Sequence, residues 1–193
     1  MSARNREIVE MFDINHFIES CKGKPASAVR ELVKESLRDP SALRTALDAR
    51  LAGRDLSKGG LADLICFRSP TLTVLKAATP PKFQTPPHNH NMWAVIGTYD
   101  GQENNTFYRR SARSLEKAGE RDLKTGDVLV LGEDAIHAIA NPLERASCAI
   151  HIYGGDLLNF SHRSTWNPFT FEEHAYDLEL LRDYSRQLMA QAA

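Results

Sequence analysis

The stretch Pro86 to Trp93, "PPHNHNMW", decides how this chain is read, because it sets His88 and His90 two residues apart at the edge of the apolar run "WAVIG". In a strand alternate side chains share a face, so residues i and i+2 point the same way about 7 Å apart along the chain. Two imidazoles so placed can share one metal ion. Alone, an HxH pair reads more simply as a solvated or core pair, and a stable metal site needs a third ligand. His137 is the best candidate, since it opens the strand-like segment "HAIAN" directly after the turn "GEDA".

Outward from these histidines the residue pattern is that of a β protein. From residue 62 the segments "LICFR", "TLTVLKA", "MWAVIGTY", "NTFYRR", "DVLVL", "IHAIA" and "CAIHIY" are short and rich in β-branched and aromatic residues. Turn signals such as "RSP", "TPP", "YDGQ", "TGD" and "NPL" separate them. Many short strands at such spacing predict a sandwich or barrel, hence a mainly β fold. Residues 4 to 52 instead repeat at helical spacing. Ile8, Met11, Phe12, Ile14, Phe17, Ile18 and Cys21 draw one stripe, "KGKP" breaks it, and Val29, Leu32, Val33 and Leu37 draw a second. Asp39 and Pro40 supply a cap and a first-turn proline for a third helix carrying Leu43, Ala46, Leu47 and Leu51, which Gly53 stops. After Tyr153 a loop "GGDLLNFSHRSTWNP" leads to Thr170 and Glu173, whose capping-box spacing predicts the start of a helix bearing Tyr176, Leu180, Leu181 and Leu188. The expected organisation is a helical extension over 1–58 packed on a barrel over 59–169, with a C-terminal helix over 170–193, one structural domain overall.

Composition narrows the partners. At 193 residues the chain suits one main core, and 24 Lys and Arg balance 25 Asp and Glu with no polybasic block. Nucleic acid and anionic membrane surfaces are therefore not expected, and a small molecule is. The longest apolar runs fall far below the roughly 20 residues of a membrane span, and "MSARNREIVEMF" has no signal-peptide core. A soluble, cytoplasmic protein is expected, its oligomeric state open. Cys21, Cys66 and Cys148 are odd in number and in no CxxC arrangement, so buried thiols are expected rather than disulfides or a cysteine zinc site.

Two motifs together carry a family resemblance. His88, His90 and Gly97, continued by "TYDGQENNTFY", and "GDVLVLGEDAIHAIAN" with Gly126, Asp127, His137 and Asn141, resemble the two motifs of the cupin superfamily over roughly residues 60 to 165. Within it the chain resembles the cysteine dioxygenase-like thiol dioxygenases. The resemblance implies a double-stranded β-helix, or jelly-roll, barrel. It also implies Fe(2+) held by His88, His90 and His137. Most cupins carry a glutamate four or five residues after HxH; here those positions are Ala94 and Val95. Thiol dioxygenases likewise use three neutral histidines, which leave the full charge of iron to favour a bound thiolate. His151 and Tyr153 of "CAIHIY" match the family histidine and tyrosine that orient substrate and oxygen, and strand alternation puts both on one face.

Departures from the family pattern bear on the substrate. The serine that completes a trio with that histidine and tyrosine is Ala149 here, and the cysteine that crosslinks to the tyrosine in animal enzymes aligns with about Ala94. Two arginines are candidate carboxylate anchors. Arg68 sits near the appropriate strand in an apparent turn. Arg163 lies ten residues after Tyr153, close to where the mercaptopropionate-type branch carries its anchor. A guanidinium suits that task because it grips a carboxylate with two parallel hydrogen bonds. The resemblance implies an enzyme that oxidises a small thiol, cysteine or a 3-mercaptopropionate-like compound, with O2 to its sulfinate. Two alternatives stay open: a three-histidine cupin that cleaves a carbon-carbon bond of a diketone, and a non-catalytic or zinc-binding cupin. His16 and His174 are expected as exposed or capping residues, His162 beside Arg163 could line the site mouth, and Met92 and Trp93 are expected as packing or pocket wall.

Overall fold

Three short helices precede the sheets in a computed structural model that describes residues 12–54, 61–111 and 114–192. Ile8, Met11 and the expected boundary between residues 58 and 59 lie outside the described residues. α1 (Ile14–Cys21) is capped by Asp13, whose carboxylate accepts from the N–H groups of Asn15 and His16. α3 (Pro40–Leu51) is capped in the same way by Asp39, with Pro40 in its first turn. Each such cap contributes about 1 kcal/mol by satisfying backbone donors that the helix cannot. α2 (Ala26–Ser36) lacks a side-chain cap and relies on its buried face of Val29 and Val33.

Among the described residues eleven strands form two antiparallel sheets. The first holds β1 (Ile65–Arg68), β2 (Thr73–Thr79), β4 (Ala94–Asp100), β7 (Val128–Leu131) and β9 (Ser147–Tyr153) in the order β1-β2-β9-β4-β7. The second holds β3 (His88–Asn89), β5 (Gln102–Arg110), β6 (Leu115–Lys124), β8 (Ile136–Ala140), β10 (Ser164–Trp166) and β11 (Glu173–Ala175) in the order β11-β10-β3-β8-β5-β6. The chain switches repeatedly between the sheets, which is the jelly-roll arrangement expected from the cupin-like motifs. α4 (Leu178–Ala192) closes the described chain. Among the described residues no helix is long and apolar enough to cross a membrane.

Both faces of the first sheet are covered, which is why β4 is buried from Ala94 to Tyr99. Its outer face, with Val74, Val95, Ile150 and Ile152, packs against Val29, Val33, Leu43 and Leu47 of the helices. Its inner face, with Leu75, Ala94, Ile96 and Ala149, looks across the barrel. Gly97 shows how closely helix and sheet approach: a Cβ there would lie 2.4 Å from Val33 Cγ1 and 3.2 Å from Leu37 Cδ1. Asn141, singled out in the second motif, fastens one end of the barrel. Its Nδ2 lies 3.0, 2.9 and 2.8 Å from the carbonyl oxygens of Thr79, Pro80 and Arg145.

Three expectations are corrected. Arg68 is not in a turn but ends β1, opposite Thr73. Thr170 and Glu173 do not open a helix: Glu173 lies in β11, where it holds Arg110 and Ser164. The helix starts five residues later at Leu178, and Asp177 accepts from the Leu180 N–H at 2.8 Å. The segment 164–166, expected as loop, is β10, because it pairs with both β3 and β11. Cys21 and Cys66 are buried as expected, whereas Cys148 is half-buried, and all three are free thiols.

Candidate metal centre

Strand pairing builds the histidine cluster. His88 of β3 lies directly opposite His137 of β8, and His137 in turn opposes Phe107 of β5. β3 ends at Asn89, so His90 stands just past the strand, before Asn91 turns the chain with φ 52°. One ligand-capable nitrogen from each of His88, His90 and His137 lies within 4.8 Å of the others. The three side chains are 7, 6 and 2% exposed. His90 Nε2 and His137 Nε2 are 3.0 Å apart.

The outer nitrogens show which way the rings face. His88 Nδ1 lies 3.1 Å from the Pro86 carbonyl and His137 Nδ1 2.9 Å from Asn105 Oδ1, each an acceptor that fixes a proton on Nδ1 and leaves Nε2 as a lone pair. His90 Nδ1 is buried without a partner. Burial pushes His88 down to about 4, and burial with the neighbouring imidazoles drives His90 and His137 well below the ordinary histidine range. At neutral pH the cluster thus presents three uncharged, converging nitrogen donors. That set fits a divalent ion that accepts nitrogen ligands, iron(II) or zinc among them. Among the described residues no carboxylate belongs to it.

The opposite sheet brings His151 and Tyr153 of β9. They stand across from Ile96 and Ala94 of β4, on the face that looks into the barrel. His151 Nδ1 lies 3.0 Å from the Tyr153 hydroxyl, and the Tyr153 ring centroid 5.0 Å from that of His90. Burial raises the Tyr153 hydroxyl above its ordinary value, so it stays a phenol. Ala149, where the resembling family has serine, offers no hydroxyl, and His151 Nε2 finds no hydrogen-bond partner.

Two residues of β5 that sequence reasoning missed stand behind the site. Glu103 is 2% exposed and Asn105 1%. Asn105 Nδ2 donates to Glu103 Oε1 at 3.0 Å, and Glu103 Oε2 lies 3.6 Å from His151 Nε2. Burial by itself would raise the Glu103 carboxyl, but the facing His151 and Asn105 groups outweigh it and hold the group below the usual carboxylate range. The signal was the same i, i+2 spacing that exposed the histidines, in "ENN", but the strand was expected to begin only at Asn105.

The two candidate anchors differ sharply. Arg163, just before β10, is 3% exposed; its Nε donates to the Asn89 carbonyl at 3.1 Å and its Nη1 to the Leu157 carbonyl at 2.8 Å. The guanidinium stacks on Tyr176, 3.9 Å from the ring centroid, and Tyr176 in turn approaches His88. Added to burial, its charge helps lower the pKa of His88 and His90, and it partly opposes the burial-driven rise at Tyr153. Arg68, by contrast, is half exposed and gives Nε and Nη2 to the Asp156 carboxylate at 2.7 and 2.8 Å. Its fork is therefore already occupied. His16 and His162 are exposed and His174 half-buried, all outside the cluster. Trp93 packs with the helix-facing core and Met92 with the inner one.

No family model matches the chain. Among solved structures, it superposes on oxalate decarboxylase from Bacillus subtilis with a TM-score of 0.43 and 14% identity, over 52% of this chain and 25% of that one. For KdgF from Halomonas sp. the values are 0.40 and 18%, over 47% and 74%. For an uncharacterised protein with a double-stranded β-helix domain from Klebsiella pneumoniae they are 0.38 and 13%, over 48% and 74%. The matched part spans 51% of a cysteine peptidase from Thevetia peruviana latex and 42% of an oxalate oxidase chain. Superposition at this level bears on neither substrate nor reaction.

Proposed function

We propose that the protein is a mononuclear non-haem iron(II) dioxygenase that converts a small thiol carrying a carboxylate to its sulfinate. The observation that carries this reading is Arg163. A guanidinium buried beside three neutral histidines, bonded to backbone carbonyls and paired with no carboxylate of the described residues, is a costly arrangement that an anionic substrate would repay.

His88, His90 and His137 would hold Fe(2+) through Nε2. The bound ion would supply O2 activation and favour thiolate over thiol. Arg163 binds and orients the substrate carboxylate, with Tyr176 fixing the plane of its guanidinium. Tyr153, tethered by His151, keeps a phenolic hydroxyl next to His90 and so beside the reacting groups. Burial of these side chains excludes water from the centre. The stoichiometry is thiolate plus O2 giving sulfinate: both oxygen atoms end on sulfur, which loses the four electrons that O2 gains. A thiol substrate and three free cysteines suit a reducing, cytoplasmic setting.

The test is O2 uptake by anaerobically iron-loaded protein with 3-mercaptopropionate, cysteine, 2-mercaptoethanol and a β-dicarbonyl. Consumption of one O2 per sulfinate formed with a carboxylate-bearing thiol is expected. Iron-loaded protein that consumes no O2 with any thiol refutes the reading, and turnover of the dicarbonyl alone would transfer the site to carbon-carbon cleavage.

A further inference from the structure

Glu103 is a buried carboxylate side chain that, among the described residues, forms no ion pair with a lysine or arginine. Carboxylates are rarely buried so completely unless other groups answer them. The two groups that answer Glu103 both lead to the metal centre. Through Oε1 it accepts from Asn105 Nδ2, and Asn105 Oδ1 faces His137 Nδ1 at 2.9 Å. Through Oε2 it faces His151 Nε2 at 3.6 Å, a nitrogen with no nearer partner, and His151 Nδ1 meets the Tyr153 hydroxyl.

We infer that Glu103 is a positioning residue that sets donor and acceptor roles along two arms of the site, one ending on the ligand His137 and the other on Tyr153. An ionised carboxylate only accepts, so the Asn105 amide must turn its NH2 towards Glu103 and its oxygen towards His137. That oxygen only accepts, so His137 carries its proton on Nδ1 and keeps Nε2 bare for a metal. On the other arm the carboxylate favours a proton on His151 Nε2, which leaves Nδ1 to accept the Tyr153 hydroxyl proton. Glu103 of β5 thereby approaches His151 of β9 from the opposite sheet, while on β9 itself Ala149 offers His151 no hydroxyl. Second partners of metal-bound histidines orient the rings and raise their basicity, and their loss typically weakens metal binding about 10- to 100-fold.

This inference rests on the three histidines as metal ligands and not on any substrate. Its test begins with unsubstituted, metal-free protein labelled with 15N in histidine, because the nitrogen shifts report which ring nitrogen is protonated. Assigned through His137→Asn and His151→Asn, the spectra are expected to show Nδ1–H at His137 and Nε2–H at His151. Glu103→Gln offers one acceptor atom where the two arms need two, so at least one of these patterns is expected to become mixed, and Co(II) affinity by spectroscopic titration to fall about 10- to 100-fold. Glu103→Asp, still acceptor-only, is expected to restore the tautomers and lose less than about tenfold. A proton on Nε2 of His137 in the unsubstituted protein overturns the inference whether or not any variant folds. So does a folded Glu103→Gln with unchanged spectra and unchanged Co(II) affinity. None of these readouts involves thiol oxidation, so the dioxygenase reading and the role of Glu103 fail separately.

Discussion

Replacing Arg163 by methionine separates substrate recognition from scaffolding. The substitution keeps an apolar stem of similar length and removes the charge. Its structural cost comes from the Asn89 and Leu157 carbonyls, which lose their donors. An unpaired buried polar group costs about 1–3 kcal/mol, partly offset here because a desolvated cation disappears. Its recognition cost is a charge-assisted contact to the substrate carboxylate, about 3 kcal/mol for a two-bond grip, or about 10²-fold in kcat/KM. Steady-state O2 uptake with 3-mercaptopropionate and with 2-mercaptoethanol distinguishes the two, since only the first carries a carboxylate. The expected result is a loss of about 10² for 3-mercaptopropionate and less than about threefold for 2-mercaptoethanol. Arg163→Lys, which keeps charge but not the planar fork, should fall between. Equal losses for both thiols would show that Arg163 only supports the loop before β10, and no loss for either would remove it from the site.

The same structure makes further claims. Gly97→Ala should lower stability by about 1–3 kcal/mol, because the new methyl overlaps Val33 Cγ1; thermal melts of the single variant and of Gly97→Ala/Val33→Ala should show the second change recovering part of the loss. Tyr153→Phe should leave the fold and metal affinity intact while cutting turnover at least about tenfold, whereas unchanged kcat with the iron-loaded protein would remove the hydroxyl from the chemistry. A divalent ion at 100 times its Kd should stabilise the protein by about 2.7 kcal/mol, seen as a rise in Tm that His88→Ala abolishes. Burial pushes the Cys21 and Cys66 thiols up to about 12 and about 11, so both should resist alkylation at pH 8 until the chain unfolds. Their folded-state pKa values are raised, so the stability they contribute is complete below about 9 and is lost as pH rises towards 11; denaturation midpoints from pH 8 to 11 should fall accordingly.

How much of this was legible in the sequence follows from which interactions make each element. β4 and β9 declare themselves because burial forces apolar runs that flanking turns delimit. β6 does not: it is an edge strand in which only Leu115 and Leu123 are buried, so the mostly charged residues between them hide the period. β10 and β11 have three residues each and exist through pairing with distant strands, which no local pattern records. The histidines are legible because their type is scarce and their spacing has one economical use. Glu103 is not, because alternation says that it shares a face with Asn105 but not which face. Only the pairing of Phe107 with His137 turns that face inwards.

Charge in the barrel also bears on which thiol is taken. Arg163 is cationic, Glu103 is held ionised, and the three histidines are neutral, so the protein's own buried charges at the site cancel. A bound divalent ion would leave a net charge of about +2 in a region of low dielectric, where unbalanced charge is costly. A thiolate that also carries a carboxylate supplies two negative charges and restores neutrality. Cysteine bound as thiolate adds an ammonium group and leaves one positive charge over, and among the described residues Glu103 is the buried carboxylate. On this reckoning 3-mercaptopropionate should be preferred over cysteine in kcat/KM, by about tenfold or more if the residual charge costs 1.4 kcal/mol or more. Equal values for the two substrates would mean that the ammonium group sits in solvent, and a preference for cysteine would require an acceptor that the buried charges do not provide.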